Sequence, residues 1–354
     1  MNGVTVAGAG AVAFLLAGGG THALGRLALR WGITDRPEGY RTRVRPVPRL
    51  GGIAIMLGTV VPALGLLGFS DPRTAVVVIG GIAIALLGLV DDISPLPKAT
   101  RLAVECVTAT GVALGGVEAS ITGTWLDVPI TVVWIVIVTN SFARLDNVDG
   151  ALGAVALAGA TPLAVTAFAR GEYGAGLLLV TLAASCFGFL PHNWAPAKVF
   201  MGDAGSLFIG FTTACLATLL ITGDGTGAAT AGLLLPAFVA VVDTGVVTLS
   251  RLRTGHPVFR RKADHLSHRL RRLGFGPRLT ALLLASVAGA SGMLGMGTAV
   301  RWISPIVTVP AAVIAALVLV TLSQRVPVYA PPRKRPGAIA ERRPSATSRT
   351  SKPR

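Results

Sequence analysis

Charge is what this sequence has least of. Only 14% of its 354 residues are Asp, Glu, Lys or Arg, where a soluble domain carries about 25%. Hydrophobic residues make up 52%, and the mean hydropathy is +0.68. That balance excludes a water-soluble globule with an ordinary charged surface. Cysteine is scarce too. Cys106, Cys186 and Cys215 all fall inside apolar stretches. No disulfide framework and no zinc spacing can be built from them, so they read as small packing residues. Acids are scarcer than bases, 16 against 32, for a formal charge of +16. Such an excess suggests nucleic acid at first sight, but its placement along the chain argues against that partner.

What is abundant is long apolar runs. A helix needs roughly 17–25 apolar residues to cross a bilayer. Eleven such segments can be marked, near 4–24, 50–69, 74–90, 102–118, 128–140, 150–168, 174–190, 205–221, 227–250, 279–298 and 303–323. The first lacks a basic leader and a cleavage site, so it reads as a span and not as a removable signal. The expected fold is an all-α polytopic membrane protein of about eleven transmembrane helices. Apart from Arg73, Arg170 and Arg301, every Lys and Arg falls on alternate connections or the C-terminal tail. The positive-inside rule then places those loops in the cytoplasm and the N-terminus outside. The excess of base therefore reports topology in a cell membrane. The chain divides into a membrane domain, 1–324, and a tail, 325–354, rich in Pro, Arg and Ser. The tail is too poor in large apolar residues to fold alone. It either touches anionic lipid headgroups or stays solvated.

With so few acids, their positions inform. Six of the 16 lie in inner-loop motifs: Asp91 and Asp92, Asp146 and Asp149, Asp203, and Asp264. Asp243 is a seventh, near the inner end of an apolar stretch. Ionisable groups at membrane ends are costly and point to function. Asp91 and Asp92 follow the apolar GIAIALLGLV directly. Adjacent carboxylates repel unless a cation intervenes, so the pair is either a helix end bridged to Lys98 or Arg101, or a magnesium or phosphate site. FMGDAGS presents Asp203 at the start of a helix, as a cap or as a ligand, and PHNWAPAK before it adds Asn193 and Lys198. In DHLSHRL, Asp264 precedes His265 and His268, which share a helix face. No third soft ligand stands near them, so among arginines a phosphate is a more natural guest than zinc. In NSFARLDNVDG, Asn140 precedes the aspartates Asp146 and Asp149. Asp-x-x-Asp-Gly also opens the signature of CDP-alcohol phosphotransferases, but no acid follows until Glu172, and that pattern fails. A transporter with carboxylate ion relays is disfavoured, because the motifs cluster on one side.

Five segments, taken in order, carry a resemblance over about residues 33–275: DRPEGYRTRVRPVPRLGG, GLVDDISPLPKATR, NSFARLDNVDG, NWAPAKVFMGDAGS and GHPVFRRKADHLSHRL. Together they resemble the polyprenyl-phosphate N-acetylhexosamine-1-phosphate transferase family, glycosyltransferase family 4. The family also contains phospho-MurNAc-pentapeptide translocase. The resemblance implies that a polyprenyl phosphate takes a sugar-1-phosphate from a UDP-amino sugar, UDP-GlcNAc by default. UMP is released, and a lipid-linked glycan such as a teichoic acid or lipopolysaccharide is started. It also implies magnesium, with manganese able to substitute, a bacterial plasma-membrane location, and a homodimer as a possible assembly. Residue by residue, it assigns Asp203 and Asp92 to the metal. Asp91 and Asp92 would position the lipid phosphate, and Lys98, His265 and His268 would contact phosphate. Asn140, Asp146, Asp149, Asn193, Lys198 and Asp264 would organise the nucleotide sugar. Three departures stand out. Ala143 replaces a usual Asn, Arg144 a usual apolar residue, and Arg43 a frequent His. Loss of the polar group at 143 leaves open a weakened homologue that only binds lipid phosphate or scaffolds a glycan pathway.

Overall fold

In a computed structural model of the chain, residues 2–35, 47–68, 70–222, 226–254 and 264–326 are described. The expectations for Arg43, for most of GHPVFRRKADHLSHRL and for nearly all of the tail lie outside them. Helix follows helix along the chain: α1 (Gly3–Trp31), α2 (Gly51–Leu67), α3 (Pro72–Ile93), α4 (Lys98–Leu114), α5 (Asp127–Leu145), α6 (Ala151–Ala169), α7 (Tyr173–Asn193), α8 (Gly202–Ile221), α9 (Thr226–Leu234), α10 (Phe238–Thr254), α11 (Leu266–Arg272), α12 (Pro277–Ala299) and α13 (Pro305–Ser323). This is an all-α, multi-pass membrane protein. Each of the eleven apolar segments marked in the sequence coincides with a helix or a bent pair. Among the described residues, eight helices are long and apolar enough to span, or nine counting α9 with α10. Helices α2 and α4, 17 residues each, fall short of that length.

Two features differ from the sequence expectation. The segment 227–250 is not one helix: α9 and α10 meet at 76°. Pro236 lies in the break, and a proline has no N–H to give the carbonyl four residues earlier and clashes with it. The first inner loop is also closed by a short ribbon, in which β1 (Thr34–Asp35) pairs antiparallel with β2 (Val47–Pro48), with Thr34 opposite Pro48.

Helix α8 is the centre of the bundle and is wholly enclosed. It has no polar face because it has no solvent or lipid face. Its neighbours reach it at glycines. A Cβ on Gly52 of α2 would strike the backbone of Gly205, one on Gly88 of α3 would strike Asp203 and Ala204, and one on Gly210 would strike α5 at Thr139 and Phe142. Removing side chains at crossings lets backbones approach where no hydrophobic driving force separates helix from lipid. By contrast, α1 and α13 expose large apolar residues, with Ile306 84% exposed. That is the surface expected of helices facing lipid. Arg73 bridges to Glu172 at 3.0 Å and ties the start of α3 to the start of α7.

Candidate active site

The N-terminus of α8 organises the site. Gly202, with φ of 75°, turns the chain into the helix. A side chain there would collide with Asp92 and with the Arg49 carbonyl. The Asp92 carboxylate instead accepts the Ala204 N–H at 3.1 Å. Amides at a helix start have no intrahelical acceptor and attract negative charge. Asp203 stands in the same first turn and is close enough to Asp92 for the two carboxylates to repel. Nearby, the Asp91 carboxylate accepts the Leu96 N–H at 2.7 Å and so folds the SPLP turn that leads into α4.

One cation links these acids. The Arg101 guanidinium lies 3.1 Å from Asp91, 3.4 Å from Asp203 and 3.1 Å from Glu105. Glu105 is almost fully buried, and it also receives the side-chain N–H of Asn140. Asn140 donates in addition to the Val136 carbonyl. A buried carboxylate held by an arginine and an amide is paired at every side, as burial of a charge requires. Lys98, the base expected to serve here, opens α4 on its exposed surface. Arg101, one turn further along α4, reaches three carboxylates.

Two further clusters border this one. In the first, Asn193 is buried, accepts the Gly150 N–H at 2.9 Å and donates to the Val199 carbonyl at 3.0 Å. Asp149 accepts the Ala197 N–H at 3.0 Å. These bonds clamp the turn after α5 to the loop before α8, so Asn193 braces the backbone from within. Gly150, at φ of 77°, abuts the Trp194 ring, and no side chain fits there. Lys198 is exposed beside this clamp, and Asp146 ends α5.

The second cluster surrounds α11. Asp243, fully buried on α10, lies 2.8 Å from Nδ1 of His265 and accepts the Leu266 N–H at 2.6 Å. It therefore orients the ring and caps the helix at once. With Nδ1 so engaged, Nε2 is the ring atom left for a ligand. Asp264 has no exposed surface and makes a two-pronged ion pair with Arg251, at 2.7 and 2.9 Å. It holds the segment in place and does not line an opening. Removing one partner of such a pair costs about 3–5 kcal/mol. Ser267 donates to Asn147 at 2.6 Å, which joins α11 to the NSFARLDNVDG turn. The ring of His268 lies 6.1 Å from that of His265. Burial, with the charges of His265 and Arg271, pushes the His268 ring down to about 4.

Among the described residues, no group of three or more His, Cys, Asp or Glu side chains could hold a metal ion by itself. Two carboxylates do meet, Asp92 and Asp203, and magnesium commonly takes one or two carboxylates, with water and substrate phosphates completing the shell. That donor set fits the expected metal. Glu105, Asn147 and Ser267 were not among the residues singled out for the site from sequence, and Arg101 was named only as a bridge to the Asp91 and Asp92 pair, which it makes with Asp91. Glu105 carried a signal, being an acid inside a predicted span. Arg101 stands four residues before it, the spacing of a helical ion pair.

The family model for glycosyl transferase family 4 matches residues 74–221. That stretch runs from the start of α3 to the end of α8 and contains the Arg101 cluster and the clamp. A Streptomyces coelicolor protein, whose name goes no further than a glycosyltransferase assignment, is 35% identical over 88% of this chain and 74% of its own. The decaprenyl-phosphate N-acetylglucosaminephosphotransferase of Mycolicibacterium smegmatis is 32% identical over 73% of each chain. The undecaprenyl-phosphate alpha-N-acetylglucosaminyl 1-phosphate transferase of Thermotoga maritima is 30% identical over 78% of this chain and 85% of its own. The chain belongs to glycosyltransferase family 4. Membership places it among bacterial multi-pass membrane transferases, and the family resemblance in the sequence stands.

Proposed function

We propose that this protein transfers N-acetylhexosamine-1-phosphate, GlcNAc-1-phosphate by default, from a UDP-sugar to a polyprenyl phosphate. The observation that carries the reading is the meeting of Asp91, Asp92, Asp203 and Arg101 at the start of α8, within the segment that matches the family. A phosphate oxygen of the lipid attacks the β-phosphorus of the nucleotide sugar. A new P–O bond forms, the bond from that phosphorus to the bridging oxygen breaks, and the oxygen leaves with UMP. Direct attack is favoured, since the lipid phosphate is already a nucleophile.

Charge governs such a step, and the contribution of the protein is positioning and electrostatics. Magnesium held by Asp203 and Asp92 would neutralise the diphosphate. Arg101 offers a fixed guanidinium to phosphoryl oxygens, braced from behind by Glu105 and Asn140. His265, aimed by Asp243, offers Nε2 to the same anion, and His268 offers a neutral ring. Asp146 and Asp149 sit on the turn that would receive the nucleotide. Nothing in the geometry favours the weakened homologue: the acids of the central cluster are present and braced, and Ala143 merely packs against the apolar core.

The test is turnover. The purified protein, polyprenyl phosphate, magnesium and a panel of radiolabelled UDP-sugars should release UMP with a UDP-HexNAc and give a lipid-linked product. Folded protein that releases no UMP from any member of the panel would overturn the reading.

A further inference from the structure

Arg269 lies in α11, four residues beyond His265, and is only 2% exposed. Its guanidinium ties three segments of the chain together. Nη1 donates to the Ser323 carbonyl at 2.6 Å and to the Val326 carbonyl at 2.9 Å, both at the inner end of α13. Nη2 donates to the Ser250 hydroxyl of α10 at 2.9 Å. Nε donates to the Asp264 carbonyl, just before α11, at 3.3 Å.

Half of this set is a helix cap. The last carbonyls of a helix lack intrahelical partners, and a cation is favoured beside them. Gln324 adds a bond from its side chain to the Val246 carbonyl of α10 at 3.0 Å. Elsewhere α13 turns large apolar residues such as Ile306 and Leu317 outward, so these polar bonds pin its inner end to α10 and α11. A cap alone would not need the other half. The Asp264 carbonyl belongs to the peptide unit that joins Asp264 to His265, and Arg269 holds that unit directly. A peptide unit is planar and stiff, so fixing it fixes where the His265 side chain starts. Asp243 then sets the rotation of the ring through Nδ1. A planar fork of donors can serve three segments at once, which a single ammonium cannot.

We propose that Arg269 is a positioning residue of the transfer reaction. It ties the His265 peptide to the inner end of α13, and with Asp243 it keeps Nε2 aimed at the diphosphate. The last membrane helix thereby becomes part of the frame of the site. The proposal rests on the transferase reading and adds a residue that reading does not need.

UDP binding to the purified full-length protein in nanodiscs reports the aim of His265, because Nε2 meets the diphosphate. Arg269→Gln should weaken UDP about three- to tenfold in the parent, and less than about twofold in a His265→Gln background, which has no ring left to misplace. It should also lower kcat about tenfold or more, as displacement of a reacting group does. Arg269→Lys, which can keep one carbonyl, should show a smaller loss of the same kind, and it carries the same cycle where Arg269→Gln does not fold. A mere cap of α13 would lower the melting temperature and weaken UDP equally in both backgrounds or in neither. Either of those binding results would overturn the proposal, as would parental kcat in folded Arg269→Gln. An unsubstituted protein that binds no UDP would instead sink the transferase reading.

Discussion

At the scale of single residues, the site is a set of carboxylates, three of which share Arg101. Asp91 shapes the turn after α3, Asp92 rests on the start of α8, and Asp264 is locked to Arg251. Asp203 keeps more exposed surface than Asp91, 22% against 12%, and Arg101, 3.4 Å from it, is shared with two other acids. Asp203 is therefore the more accessible of those two to a metal. Asp203→Asn keeps the shape and removes the charge, so turnover should fall by three orders of magnitude or more while the protein still inserts and binds detergent-extracted lipid normally. UMP release and membrane fractionation check this together, and retained activity would take Asp203 out of the metal site.

His268 gives a pH signature on the same scale. Its folded ring is pushed down to about 4 from an ordinary value of 6.5, so between those values the unfolded chain binds a proton that the folded chain refuses. Stability must then fall as the pH drops from about 6.5 towards 4, and this contribution is flat above 6.5. Thermal unfolding across that window should show a smaller acid loss in His268→Gln than in the parent. The aspartates and histidines were legible in sequence because charge is rare in such a chain. Their roles were not, since partners such as Arg101 with Asp203, or Asp243 with His265, are brought together only by tertiary packing. Asn193 and Asp264 read as nucleotide-sugar residues in the sequence for the same reason, and the fold buries both.

At the scale of elements, apolar run length located the helices, because bilayer thickness leaves little freedom in how long a spanning segment can be. The break between α9 and α10 was harder to see. Pro62, Pro162, Pro191 and Pro310 lie within continuous helices, so a proline alone does not predict a bend. The glycines at the crossings of α8 have a clearer physical meaning. Gly52 and Gly205 touch backbone to backbone, with the Gly52 N–H donated to the Met201 carbonyl at 2.8 Å. A valine at position 52 has nowhere to go without moving the first turn of α8, which carries Asp203. Gly52→Val should therefore lower both the melting temperature and the turnover, although it lies outside the set of charged residues. Gly19→Val on α1, where a side chain would meet open space, is the matched control and should leave both nearly unchanged. A Gly52→Val protein with parental melting and turnover would refute the close crossing.

At the scale of the whole molecule, the arrangement makes sense in only one orientation. All three clusters lie at the same end of the bundle: the ends of α3, α5, α7 and α10 meet the starts of α4, α8 and α11 there. The opposite end carries Arg73, Arg170 and Arg301, the three basic residues outside the inner loops and tail. In the proposed reaction the nucleotide sugar comes from the cytoplasm and the polyprenyl phosphate lies in the bilayer, so the donor arrives from the basic side and the acceptor from within the membrane. Cysteine labelling tests that geometry directly. Cys186 and Cys215 are buried, and replacing Cys106 with serine leaves no native thiol near an aqueous surface. In that background, Thr124→Cys in the connection between α4 and α5 should react with a membrane-impermeant maleimide on intact bacteria. Ser94→Cys, exposed between α3 and α4, should react only after the cells are opened. The reverse pattern would put Asp203 and Arg101 on the outer face, away from any supply of UDP-sugar, and would contradict both the topology and the proposed reaction.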